Sequence, residues 1–421
     1  MRYTAFLLLV CMIQVVFPGG PASAGVPDRK ADREAAAGAI DAFAIDVYRR
    51  LAEDDGERKG NLFFSPYSIA SALAMTYGGA SGQTAAEMAK ALRFAGDAAA
   101  LHASMKKIAD RFGAISGDEG VIDVANRLWL DGTQKLLPDY IALAGENYDG
   151  GVESADFRKG TEDARATINA WVERKTRDKI RELLRKGDVT GDTRLVLTNA
   201  IYFNAAWREP FDAELTKEEP FRTGRNESKN VPMMQQTGMF SYGETPELQM
   251  IKVPYGFFPP RISLLVLLPR VNKSFTQLEN LEKDLTLESL DRWTSDMRFR
   301  RAALWLPKFR VEGRFELKEV LKKLGMKLAF GRDADFSGMV ADPHNEEGDF
   351  CIDAVIHQSF IDLDEKGTEA AAATAVSMIR ATAFRPETEE PVEFRADHPF
   401  IYCIVDDQTG VILFMGRMME P

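Results

Sequence analysis

The sequence predicts an α+β fold built as one domain. Helix-period patterns dominate the first part of the chain, and nearly unbroken apolar runs dominate the later part. No Gly/Ser-rich or Pro-rich linker and no internal repeat divides the two, so both feed one core.

Ile40, Phe43, Ala44, Val47, Tyr48 and Leu51 recur at helical spacing and predict an amphipathic helix. Residues 61–64 read as a short buried strand. Ser65-Pro66 opens a helix that Gly78-Gly79 stops, and Ser81 or Gln83-Thr84 opens the next. A helix is expected over 100–112 and a strand over 121–130. Thr161, with Glu162 and Asp163, starts a helix whose apolar face is Ile168, Trp171 and Val172. The runs "RLVLTNAIYFNAAW" and "RISLLVLLPR" suit strands buried on both faces. "RFELKEVLKKLGM" reads as helix with Gly325 as terminator, and "PFIYCIVDDQTGVILFMGRM" closes the chain as a hairpin with Gly410 in its loop.

The N-terminus has the layout of a secretory signal peptide over 1–24. Arg2 precedes an apolar run over 6–17, then helix breakers and Ala22-Ser23-Ala24, with cleavage expected after Ala24. The run is too short to span a bilayer comfortably. The expectation is a secreted protein, extracellular or periplasmic, with one domain over 25–421. Cys351 and Cys403, the two cysteines left, sit in strand-like runs and are too few for a disulfide framework, so buried free thiols are expected. Asn226 and Asn272 fit the glycosylation pattern.

Net charge of −11 argues against whole-surface attraction to nucleic acid or an anionic membrane, and neither is expected as a partner. The four histidines, His102, His344, His357 and His398, form no HExxH pair, and the chain has no G-x-S-x-G elbow, P-loop or dinucleotide fingerprint. "DLDEKG" opens like a calcium loop but places Lys366 at the fifth position and Ala373 where a bidentate Glu is needed. No metal, no cofactor and no enzymatic constellation is proposed by the residues. Lys106, Lys107 and Arg111 read as a solvated helix face, with a polyanion patch as the alternative.

One stretch resists the local reading. "EKGTEAAAATAV", beginning at Glu365, is Ala-rich and so helix-favouring, yet it follows the strand-like "CIDAVIHQSFIDLD" and has no apolar stripe to pack. Taken alone it reads as a surface linker or a helix end; were it a strand, alternate residues would share a face. Thr368, Ala370, Ala372, Thr374, Val376 and Met378 are small or apolar, while Glu369 falls on the other parity. No Pro interrupts 367–384, so no ladder donor is missing.

Six segments in order resemble the serpin family of serine protease inhibitors: "NLFFSPYSI" (61–69), "TNAIYFNAAWREPF" (198–211), "VPMMQQTGMF" (231–240), "LPKFRVEGRFELKEVLKKLGM" (306–326), "HQSFIDLDEKGTEAAAATAV" (357–376) and "DHPFIYCIVDDQTGVILFMGR" (397–417). The resemblance implies one domain with three β-sheets, eight or nine helices and an exposed reactive-centre loop over about 365–390. It implies a monomeric, secreted inhibitor of serine, or cysteine, endopeptidases that acts by suicide: the loop is cleaved and then inserts as a strand in the central sheet. About a dozen inserted residues, at roughly 0.5–1.5 kcal/mol net per hydrogen bond, release on the order of 10 kcal/mol. The alternative is a non-inhibitory member that acts as a binding, storage or chaperone-like protein.

By the same resemblance, the hinge is Glu365, Gly367, Thr368, Glu369, Ala370, Ala371, Ala372, Ala373 and Thr374. Trp207 and Lys308 stand with Glu365 where the loop first enters, and Ser65, Ser68, Asn199 and His357 form a polar cluster where the sheet must part. The usual loop length places the reactive bond at Ala381–Thr382, which suits elastase- or subtilisin-like proteases. A loop one residue shorter gives Arg380–Ala381 and a trypsin-like target. Two departures stand out: "NAAW" replaces the family's usual Lys-Gly before that Trp, and Asp178 stands where Gly is commoner.

Overall fold

The apolar runs fold as central strands and the helix-period segments pack around them. The computed structural model describes residues 35–55, 60–115, 120–149, 151–223, 227–256, 261–270, 277–345, 348–368 and 390–421. Within them the helices are α1 (Ala35–Asp54), α2 (Pro66–Tyr77), α3 (Gly82–Ala91), α4 (Ala98–Ile115), α5 (Pro138–Asn147), α6 (Thr161–Lys175), α7 (Gln277–Asp284), α8 (Leu287–Ser295) and α9 (Lys318–Lys323). The strands up to the first long apolar hairpin are β1 (Leu62–Phe64), β2 (Gly120–Asp131), β3 (Val152–Ala155), β4 (Leu195–Ala206), β5 (Lys217–Arg222), β6 (Ser228–Glu244), β7 (Leu248–Pro254) and β8 (Ile262–Pro269). They continue as β9 (Arg298–Pro307), β10 (Phe309–Glu316), β11 (His344–Asn345), β12 (Gly348–Asp349), β13 (Ala354–Asp364), β14 (Gly367–Thr368), β15 (Val392–Arg395), β16 (Phe400–Asp406) and β17 (Ile412–Met418).

Among the described residues these strands make three sheets. One has nine strands, ordered β1-β17-β16-β8-β7-β6-β9-β15 with β5 on β6; one has six, ordered β10-β13-β14-β4-β2-β3; β11 and β12 form a small ribbon. In the six-stranded sheet β4 is antiparallel to β2, β13 is antiparallel to β10, and β4 and β13 run parallel from Ala354↔Val196 to Ser359↔Ile201. The sheet is covered on both faces. The main core fills the space toward the nine-stranded sheet, α1 and α2. A second cluster packs Ile168, Trp171 and Val172 of α6 against Ala125 and Trp129 of β2, Val196 and Ala200 of β4, and Ala354 and Ile356 of β13. Burial on both faces is why β4 reads as an almost continuous apolar run.

Local signals account for most boundaries. The α1 stripe from Ile40 to Tyr48 is fully buried. Ser65 caps α2 by accepting the Ser68 N–H at 3.2 Å, with Pro66 in the first turn. Gly410, at φ +80°, turns the β16–β17 hairpin. Two expectations need correction. Residues 314–316 are not helical: they complete β10, where the ladder Arg314↔Gln358, Phe315↔His357 and Glu316↔Ile356 outweighs their helix propensity, and α9 starts only at Lys318. Cys351 lies before β13 rather than in a strand and is half-buried, whereas Cys403 is buried in β16; both are free thiols. Asp178 adopts φ +64°, a left-handed conformation that explains why Gly suits this position better.

Gly313 marks where β10 crosses β1. A Cβ there would sit 2.1 Å from the Phe63 carbonyl oxygen, which also accepts the Ser359 hydroxyl at 2.7 Å. Gly313→Ala is therefore expected to lower stability by about 1–3 kcal/mol, read as a lower urea midpoint at unchanged slope.

Candidate functional site

Two groups of side chains lie along the line where β4 meets β13. The first is buried beneath the N-terminus of α2. The parallel register sets His357 opposite Asn199, and the antiparallel register sets Asn199 opposite Asn126 of β2. Three polar side chains thus span three adjacent strands, and the cap of α2 supplies Ser65 and Ser68. The Ser65 backbone N–H donates to His357 Nε2 at 3.0 Å, so that nitrogen is unprotonated and Nδ1–H donates to Asn199 Oδ1. Asn199 Nδ2 donates to Ser68 Oγ at 2.7 Å; Ser68 Oγ donates to Asn126 Oδ1 at 3.0 Å; Asn126 Nδ2 returns to the Ser68 carbonyl at 3.0 Å. Ser65 Oγ donates to the Leu413 carbonyl at 2.6 Å, tying the cluster to β17. Burial pushes the His357 pKa down to about 3, outweighing its hydrogen bond to Asn199, so the imidazole is neutral at pH 7.

The second group lies at the other end of the same line. After Asp364 the chain makes a tight turn, in which the Asp364 carboxylate accepts the Lys366 N–H at 2.8 Å, and returns as β14. Gly367 and Thr368 pair with Asp364 and Leu363 on one side and with Ala206 and Ala205 on the other. They already occupy the place of a strand between β13 and β4. Gly367 has φ +153°, and a Cβ there would lie 2.1 Å from the Ala205 carbonyl oxygen, so the backbones approach as only glycine permits. Thr368 is buried, and its hydroxyl is 2.6 Å from Tyr255 Oη. The Tyr255 ring stacks on Trp207 at 4.5 Å between centroids. Trp207 in turn donates from Nε1 to the Asp364 carbonyl at 2.9 Å and from its backbone to the Lys366 carbonyl at 2.8 Å.

Glu365 is fixed by three partners. Lys308 Nζ lies 2.8 Å from Oε2, the Thr216 hydroxyl donates to Oε1 at 2.9 Å, and the Phe211 N–H donates to the Glu365 carbonyl at 2.9 Å. Burial alone would raise the Glu365 carboxyl, but the bonds from Lys308, its own backbone and Thr216 hold it below the ordinary value.

The structure thus brings together Ser65, Ser68, Asn199 and His357, and separately Trp207, Lys308, Glu365, Gly367 and Thr368. Glu369, Ala370, Ala371, Ala372, Ala373, Thr374, Arg380, Ala381 and Thr382 lie outside the described residues, as does the segment 1–24. Sequence reading missed Asn126, Tyr255 and Thr216. A lone Asn amid the apolar residues of β2 was the available signal for Asn126; a Tyr at the end of the run before Gly256 was the signal for Tyr255. Of the basic residues of α4, Lys106 binds Asp110 on the exposed face, whereas Arg111 is part-buried and grips the buried Asp406 of β16 through two nitrogens, so it fastens the helix to the sheet rather than standing on a solvated face. Among the described residues no group of three or more His, Cys, Asp or Glu could hold a metal ion.

A sheet whose two central strands are closed at one end and held apart at the other by the chain's own returning segment defines a protein with room for a further strand. The family described as Serpin (serine protease inhibitor) matches residues 38–421, and the chain belongs to it. It is similar to the leukocyte elastase inhibitor of Sus scrofa, at 38% identity over 390 residues covering 90% of this chain and 97% of that protein. Its fold resembles that of uncleaved ovalbumin, with a TM-score of 0.79 at 31% identity over 92% of this chain and 100% of that one. It also resembles the thermophilic serpin tengpin in its native state, with a TM-score of 0.80 at 26% identity over 94% and 97%.

His357 gives the site a pH signature. Its folded pKa of about 3 lies below the unfolded value near 6.5, so the unfolded state binds the proton more readily. Its contribution is complete above pH 6.5 and is lost as the pH falls toward 3, amounting to about 2 kcal/mol by pH 5. Urea unfolding at pH 7 and pH 5 should show this loss in the wild type and a smaller one in His357→Gln.

Proposed function

We propose that this protein inhibits serine endopeptidases by offering the loop beyond Asp364 as a substrate and, once it is cut, taking it up as a strand between β13 and β4. It is an inhibitor, not an enzyme. The observation that carries the reading is β14: Gly367 and Thr368 are hydrogen-bonded to both neighbours as the first residues of such a strand. Thr368 presents its side chain to the buried Tyr255, consistent with small alternate residues along the rest of the segment.

In this mechanism the protease serine attacks the carbonyl before the scissile bond, the amine of the next residue leaves with a proton, and the protease is held as an ester. Insertion of about a dozen residues at about 3.3 Å each carries the tethered protease about 40 Å before water completes the hydrolysis. Trp207, Lys308 and Glu365 define where the strand begins to enter. Ser65, Ser68, Asn199 and His357 hold the line that must part. The scissile bond is Ala381–Thr382 or Arg380–Ala381. The similarity to a protein named as an elastase inhibitor supports the first, with a small residue for an elastase- or subtilisin-like pocket; Arg380 would suit a trypsin-like one. The pattern of residues 1–24 supports export, and a monomer is sufficient for the mechanism.

Incubation with elastase and with trypsin, separately, should give a detergent-stable complex with at least one of them, and mass spectrometry of the released fragment names the bond. Thr368→Arg cannot be buried at this position, so the variant should still be cut but release the protease, losing the complex. No complex with either protease, together with no gain in heat stability after loop cleavage, would leave a non-inhibitory binding or storage protein instead.

A further inference from the structure

The segment 176–193, between α6 and β4, has contacts on both sides of the line where β4 meets β13. On the β4 side, Arg177 Nε donates to Asp123 of β2 at 2.9 Å, and its guanidinium lies 5.6 Å from the Tyr202 ring centroid. On the other side, Arg314 of β10 donates from Nε to the Leu183 carbonyl at 3.0 Å and from Nη2 to the Asp188 carboxylate. The segment is fastened to α6, because Asn169 exchanges two 2.8 Å bonds with the Leu184 backbone. Helix α6 is in turn fixed on β2, where the Arg127 guanidinium lies 4.3 Å from the Trp171 ring centroid and Trp171 meets Trp129 edge-on at 5.7 Å. The body of this strap therefore belongs to the β2–β4 half of the sheet, and Arg314 grips it from the β10–β13 half.

A strand entering between β4 and β13 moves those halves apart by about 4.8 Å. The apolar contacts of α6 on Ala354 and Ile356 can slide under such a shift, but a charged hydrogen bond of fixed length cannot. β10 and β13 are paired along the whole of β10, so Arg314 must travel with β13. We propose that Arg314 is a latch, a positioning residue for the inhibitory reaction: its bonds to Asp188 and the Leu183 carbonyl hold the two halves together, and their release sets how fast the sheet takes up a strand. This rests on the inhibitor reading above.

The test uses the full chain and a synthetic peptide with the sequence of residues 368–379, TEAAAATAVSMI, so that no protease is involved. Uptake is followed by native-gel mobility and by the rise in unfolding midpoint. Arg314→Gln and Asp188→Asn should each take up the peptide about tenfold faster than wild type. Each should destabilise the empty protein more than the peptide-loaded one, while Arg93→Gln, which removes a pair with Asp46 remote from the sheet, should change neither. Uptake by both variants at the wild-type rate, or equal destabilisation of the empty and loaded forms, overturns the latch and leaves the inhibitor reading standing. Failure of the wild type itself to take up the peptide overturns both.

Discussion

The structure depends on one pairing, the parallel contact of β4 with β13. Parallel ladders use slanted bonds and are slightly weaker per residue than antiparallel ones. An extra strand that enters antiparallel to both neighbours would exchange one parallel ladder for two antiparallel ones. β14 has that orientation on each side. The driving force for insertion is thus a property of strand direction, fixed once β4 and β13 are placed side by side. The remaining problem for the fold is to keep that exchange from running to completion before the loop is cut.

In the proposed mechanism the two ends of the line have opposite parts. At the open end the chain is led in by geometry. The turn at Asp364 returns the backbone against Ala205 and Ala206, and the Trp207–Tyr255 stack receives Thr368. The two alanines of "NAAW" are the ladder partners of β14, so a departure from the family pattern falls on the residues that the hinge touches first. At the closed end the restraint is polar. His357 faces Asn199 across the line, and on the outer face the strap reaches over it to Arg314. Polar contacts are suited to this work because they are lost over a short displacement, whereas apolar packing yields gradually.

Much of this was legible in the sequence, and the exceptions have physical causes. The α1 stripe, the α2 cap and the unbroken apolar run of β4 follow from periodicity and capping. Residues 314–316 were misread because their helix propensity is local while the ladder that claims them comes from β13, distant in sequence. The polar cluster was legible only through family resemblance. Nothing local marks Ser65 or Asn199 as partners, and Asn126 joins them solely because antiparallel pairing sets it opposite Asn199. Tyr255 was missed for a similar reason, since its role comes from a hydroxyl that meets Thr368 across 113 positions of chain.

In the proposed mechanism the polar cluster sets part of the cost of opening the sheet. Parting β4 from β13 breaks the bond between His357 and Asn199, the one side-chain bond of the cluster between those two strands. Asn199 keeps Asn126 on its own side of the line, but Ser65 and Ser68 share the start of α2, so parting the strands also costs either the Ser68 bond to Asn199 or the Ser65 bond to His357. No charge is exposed in that exchange, because burial holds His357 neutral. A charged pair at the same place would cost several kcal/mol to divide. A purely apolar seam would offer no fixed geometry to break. A neutral imidazole bonded to an amide lies between these limits: enough to hold the seam shut in the uncut protein, and little enough for the two new antiparallel ladders to exceed once the strand is free to enter.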